Sequence, residues 1–214
     1  MRSRKRLLKN SRVYLILDRE VCNYQKLFCV AREALKAEID IIQLRDKKGS
    51  SEEILEFSKR LVGLIKKSKT LFILNDRVDL ALAAGACGVH LGQEDSPLAE
   101  ARKILGSQAL IGISCQTGEQ AFEAQAGGAD YIGFGSVFKT LTKPKRDPMN
   151  LSLLQKIVKE IKIPVFAIGG INLINIARLR QIGVKRVAVC RAVCEAGDVR
   201  KTVEEFKERL KLTR

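Results

Sequence analysis

Eight short apolar runs recur along the chain, and each is followed by a longer stretch whose apolar residues return every three to four positions. The runs cover residues 13–17, 39–44, 71–74, 88–91, 110–113, 131–134, 165–168 and 186–189. Runs of this length read as buried strands. The stretches between them, such as the one carrying Ile54, Phe57, Leu61, Leu64 and Ile65, read as amphipathic helices. Strand–helix alternation builds right-handed βαβ units and hence a parallel sheet. Eight units within 214 residues fit a single-domain α/β fold, the (β/α)8 TIM barrel, better than an open doubly wound sheet. Segments 83–86, 126–130 and 181–184 each set glycine at a helix end just ahead of a strand, where a left-handed residue terminates a helix at low steric cost. No linker breaks the series. The organisation read from it is a basic N-terminal tail over residues 1–12 and a barrel over residues 13–214.

Lysine and arginine number 39 against 24 acids, a formal charge of +15, which raises the local concentration of anionic partners. Much of the excess sits in the tail (Arg2, Arg4, Lys5, Arg6, Lys9, Arg12) and at Lys66, Lys67, Lys207, Arg209 and Lys211, expected as a solvated basic surface or a disordered arm. A nucleic-acid-binding module needs a basic stripe interleaved with stacking aromatics. Here aromatics are 5% of residues and the cations are dispersed, so small phosphorylated molecules are the expected partners and nucleic acid is not. The six cysteines form no C-x-x-C pair and there is one histidine, which argues against zinc and for free thiols in a reducing cytosol. The run at 13–17 is too short for a signal sequence or a membrane span, so a soluble, cytoplasmic protein without membrane contact is expected. Homo-oligomerisation stays open.

In such barrels chemistry sits beyond the carboxyl ends of the strands, and the unusual polar residues fall there. After the second run comes Gln43-Leu44-Arg45-Asp46-Lys47. At period two, Gln43, Arg45 and Lys47 share one face, a hydrogen-bonding amide and two cations suited to a phosphate ester. After the third comes Asn75-Asp76-Arg77-Val78-Asp79, in which Asp76 reads either as a helix cap or as a ligand. After the fourth comes another acid, Asp95. Two carboxylates on neighbouring strand ends, beside cations, fit a magnesium–pyrophosphate site. His90, within the fourth run, reads as a structural histidine of the barrel interior rather than a general base. After the sixth run an irregular loop continues to Pro148 and carries Thr140, Thr142 and Lys143; long loops of this kind often serve as lids. Runs seven and eight end in Gly169-Gly170-Ile171-Asn172 and Cys190-Arg191. Glycines and helix starts there suit a second, backbone-built phosphate cradle.

Taken together, QLRDK at 43–47, NDRVDLALAAGACGVHLGQED at 75–95, ADYIGFGSVFKTLTK at 129–143 and AIGGIN at 167–172 resemble the thiamine phosphate synthase family. The resemblance implies a Mg2+-dependent transferase. It would join a hydroxymethylpyrimidine pyrophosphate to a thiazole phosphate, with pyrophosphate leaving first and the thiazole nitrogen capturing the cation. It further implies that Gln43 and Ser114 contact the pyrimidine, that Arg45, Lys47, Asn75 and Lys143 hold pyrophosphate, and that Asp76 and Asp95 hold magnesium. Thr140, Thr142, Gly170, Cys190 and Arg191 would surround the thiazole phosphate. Arg45, Lys47, Ser114 and Lys143 carry the catalytic role in this reading, and Arg45→Ala and Asp76→Ala are expected to lower turnover while leaving the fold intact. Departures are Arg191, where the family has a serine-containing turn, Cys115-Gln116-Thr117 after Ser114, and Asn150 near a family glycine, read as a residue that tolerates the left-handed region. A related thiazole tautomerase places a histidine after strand six, where this chain has Ser136. That isomerase, or an inactive phosphate-binding relative, is the alternative.

Overall fold

Apolar residues on both faces of a strand require cover on both sides, and the strands here receive it. The computed structural model describes residues 4–140 and 147–211. The strands β1 (Val13–Asp18), β2 (Ile41–Arg45), β3 (Leu71–Asn75), β4 (Gly88–Leu91), β5 (Leu110–Cys115), β6 (Tyr131–Phe134), β7 (Val165–Ile168) and β8 (Val187–Val189) pair in parallel and close into a barrel in chain order. The helices are α1 (Arg4–Asn10), α2 (Tyr24–Lys36), α3 (Ser51–Ile65), α4 (Val78–Ala84), α5 (Leu98–Leu105), α6 (Gly118–Ala126), α7 (Leu151–Glu160), α8 (Ile176–Gln181), α9 (Arg191–Cys194) and α10 (Val199–Arg209). Local chemistry sets several starts. Ser50 with Glu53 caps α3, and Thr117 with Gln120 caps α6, each by reciprocal side-chain and backbone bonds. Gly85, Gly128 and Gly183 take positive φ at the three helix ends read from the sequence.

Two apolar layers result. Leu15, Leu17, Ile42 and Leu44 point outward and pack under the helices. Tyr14, Ile16, Ile41, Ile73, Tyr131 and Phe166 fill the barrel interior. Gly112 on β5 makes room for one of them, since a Cβ there would lie 2.0 Å from the Tyr131 ring.

Two expectations change. Residues 4–10 of the basic tail form helix α1, not a disordered arm. Leu8, 2% exposed, joins the interior cluster at the amino end of the barrel. Lys5 pairs with Asp130 at 3.1 Å, and the carbonyl of Lys9 accepts a bond from Arg186 Nη2 at 2.9 Å. Asn150 lies at φ −68°, outside the left-handed region, and caps α7 by accepting from Ser152 N–H. No helix among the described residues is long and apolar enough to cross a membrane.

Candidate active site

Four strands run further than their apolar patterns. β1, β2, β3 and β5 end on Asp18, Arg45, Asn75 and Cys115, so polar side chains near the mouth are held by the sheet ladder. They open on a cavity of about 380 Å³ at the carboxyl ends of the strands. Asp18 and Arg45 are direct ladder partners. Arg45 Nη1 donates to the fully buried Asp18 carboxylate at 2.7 Å and approaches Glu20 at 3.4 Å. Removing one member of such a pair strands a buried charge. Arg45→Ala is therefore expected to lower stability as well as turnover, which chemical denaturation of the variant would read.

Below these charges a polar belt crosses the barrel. Tyr14 Oη donates to Gln43 Oε1 at 2.7 Å and lies 3.0 Å from Tyr131 Oη. Tyr131 Oη lies 3.2 Å from His90 Nδ1, and His90 Nε2 lies 2.9 Å from Ser114 Oγ. At the other end Gln43 Nε2 donates to Asn75 Oδ1 at 3.1 Å. Counting protons fixes the direction. Burial, then the neighbouring phenol, raises the pKa of Tyr14, and burial raises that of Tyr131, so both phenols keep their single proton. Tyr14 spends its proton on Gln43, so Tyr131 donates to Tyr14 and His90 Nδ1–H to Tyr131. In the neutral imidazole this arrangement assigns, His90 Nε2 accepts from Ser114. His90 is thus an interior link in a hydrogen-bonded chain, and the Ser114 oxygen is left with acceptor capacity toward the cavity.

The acids lie beside this belt. Asp76 takes φ 62° and its N–H donates to the carbonyl of His90 at 2.9 Å. It does not cap α4, whose cap position is Arg77 without a side-chain bond. Its carboxyl pairs with Lys47 Nζ at 3.0 Å and neighbours the Asp95 carboxyl. Asp95 accepts from Gly92 N–H at 2.6 Å. Burial, and then Asp95, push the Asp76 carboxyl above the ordinary carboxylate range. Burial pushes Asp95 the same way, but the neighbouring Asp76 carboxyl and the Gly92 amide prevail and lower it. Two neighbouring carboxylates beside a lysine are a donor set that fits a hard divalent cation, with waters and phosphate oxygens completing the shell. Among the described residues no group of three or more His, Cys, Asp and Glu side chains forms a fuller cage.

Across the mouth, Gly170 takes φ 63°, and a Cβ there would lie 2.4 Å from the Lys139 carbonyl. The glycine pair thus admits the chain's own 136–139 segment, a reason for glycine that the sequence reading had assigned to a ligand. Cys190, Arg191 and Ala192 line the cavity wall where α9 begins without a side-chain cap. The Arg191 guanidinium is bonded to Glu195, and its Nε is buried without an acceptor. Thr140 lines the same cavity. Thr142 and Lys143 lie outside the described residues. Ser136 donates to the Phe138 carbonyl at 3.0 Å. Tyr14, Tyr131, Asp18 and Glu195 line the cavity without having been singled out from sequence. Of these only Asp18, an acid closing an apolar run, carried a legible signal.

A closed eight-stranded barrel with a polar, cation-bearing cavity over its strand ends defines a (β/α)8-barrel enzyme for small anionic substrates. Residues 13–193 match the family model described as thiamine monophosphate synthase. A thiamine-phosphate synthase of Halalkalibacterium halodurans is 44% identical over 93% of this chain and 95% of its own length. One of Fusobacterium nucleatum is 40% identical over 93% and 97%. A thiamine phosphate pyrophosphorylase structure from Pyrococcus furiosus superposes with a TM-score of 0.84 at 40% identity, covering 96% of each chain. The chain belongs to the thiamine monophosphate synthase family and has that family's transferase activity, the formation of thiamine phosphate.

Proposed function

We propose that the barrel mouth joins hydroxymethylpyrimidine pyrophosphate to thiazole phosphate, or its carboxylated form, in a Mg2+-dependent dissociative substitution. The observation that carries this reading is that Arg45 lines one cavity with Gln43 and Ser114, while Asp76, paired with Lys47, is tied beside it through its N–H to the His90 carbonyl. Asp76 and Asp95 are the residues to hold the magnesium, which when bound neutralises charge on pyrophosphate oxygens. Arg45 and Lys47 stabilise the same leaving charge, with Asn75 at its edge and Lys143 assigned by resemblance.

The bond between the pyrimidine methylene carbon and the pyrophosphate oxygen breaks first, and its electron pair leaves with pyrophosphate. The aminopyrimidine ring delocalises the resulting positive charge. Ser114 Oγ, already donating to His90, accepts from the exocyclic amino group, and the Gln43 amide contacts the ring. The thiazole nitrogen lone pair then forms the new C–N bond. Gly170, Cys190, Arg191, Thr140 and Thr142 hold the thiazole phosphate. Preorganised charge at the leaving group is the main protein contribution.

Purified chain given both substrates and Mg2+ is expected to release thiamine phosphate and pyrophosphate in equal amounts, and to stop when EDTA is added. Product formation that is indifferent to EDTA would refute the metal assignment, and no product at all would refute the reaction.

A further inference from the structure

The excess positive charge is not used up at the barrel mouth. At the opposite, amino-terminal end of the strands lies a second groove of about 980 Å³, bounded by α1, the turn before β7 and the turn before β8. Its rim carries Lys5, Lys9, Lys159, Lys162, Lys185 and Arg186. One acid, Asp130, lies among them, and it is fully engaged: Oδ1 with Lys5 at 3.1 Å, Oδ2 with Arg102 at 2.5 Å and with Ile111 N–H at 2.9 Å. Lys9, Lys159, Lys162 and Lys185 are exposed and have no carboxylate partner among the described residues. Arg186 is half-buried, its Nε–H lacks an acceptor, and burial together with the neighbouring Arg12 lowers its pKa.

Hydrogen bonds tie together the frame around these charges. Arg186 Nη2 ties α1 to the groove through the Lys9 carbonyl, and Gln125 Oε1 holds the amide of Lys162 at 2.6 Å. Between the cations the floor is apolar, formed by Val158, Ile163 and Ile182, which are partly exposed. Clustered like charges without counter-charges favour binding an anion. The apolar floor adds a preference for an anion that carries a hydrophobic body.

We propose that this groove binds a nucleoside polyphosphate, with the phosphates among Lys159, Lys162, Lys185 and Lys9 and the base on the apolar floor. The test is hydrogen–deuterium exchange of the full chain with ATP in EDTA, read alongside turnover. ATP is expected to slow exchange in residues 158–165 and 182–186. That protection is expected to be lost in K159E/K162E/K185E and in the neutral K159Q/K162Q/K185Q, with turnover unchanged in both. Inorganic triphosphate is expected to protect the same segments only at higher concentration, and adenosine not at all. Protection confined to the barrel mouth, absent everywhere, or retained in both variant sets would overturn the proposal. Equal protection by triphosphate and ATP would overturn the part assigned to the apolar floor.

Discussion

At Asp76 a left-handed backbone and a largely covered carboxyl coincide. The φ of 62° turns the chain at the end of β3, and Asp and Asn are among the few residues that adopt this region readily. The carboxyl meets Asp95 and Lys47, and its pKa lies above the ordinary range because burial and then Asp95 disfavour its charge. The folded state thus holds this proton more tightly than the unfolded chain. The resulting stabilisation is complete below the unfolded pKa of about 3.9, and it is lost as pH rises through the higher folded value. At neutral pH in the absence of metal the ionised carboxylate therefore costs stability. Asp76→Asn keeps the backbone and removes that charge. Its melting temperature in EDTA at neutral pH is expected to exceed that of the unaltered chain, while Mg2+-dependent product formation falls by roughly a hundredfold or more. A lower melting temperature in EDTA would contradict the strained-carboxylate reading. This site was legible because its acids and cations end apolar runs in a strand-helix series. The phenols of Tyr14 and Tyr131 were not, because a tyrosine inside an apolar run looks like core until the barrel closes and brings β1 beside β6 across the interior.

Elements placed by hydrophobic period match the structure, and the basic residues read as solvated are largely exposed, whereas the short basic helix α1 leaves no periodic trace. The strand runs match observed strands to within one or two residues, because burial on both faces leaves no ambiguity in a parallel barrel. Polar residues extend β1, β2, β3 and β5 because ladder pairing such as Asp18 with Arg45 continues after hydrophobic burial has ended. Helix α1 was hidden because its cationic residues dominate the segment and Leu8 is its one buried residue. The closed barrel creates the opening that Leu8 fills, and nothing local announces that opening. Leu8→Ala is expected to destabilise the chain by about 2–3 kcal/mol, seen in chemical denaturation, with turnover per folded molecule unchanged. A change near zero would show that α1 is not part of the interior.

Over the whole molecule, clusters of charged groups lie at both ends of the barrel. The carboxyl end gathers the Asp76–Asp95 pair with Arg45 and Lys47 on one side, and the Gly170 and Arg191 region on the other. The amino end gathers several lysines around a single acid, Asp130, which is already paired. The central claim is that the mouth divides into a magnesium–pyrophosphate half at β2–β4 and a monophosphate half at β7–β8. Calorimetric titration with pyrophosphate and with thiazole phosphate, each with and without Mg2+, tests this directly. The division predicts that Mg2+ tightens pyrophosphate binding at least roughly tenfold, about 1.4 kcal/mol, that Asp76→Asn abolishes this gain, and that thiazole phosphate binds equally in all four combinations of metal and variant. Pyrophosphate affinity indifferent to Mg2+, or thiazole phosphate affinity that follows the metal and Asp76, would contradict it.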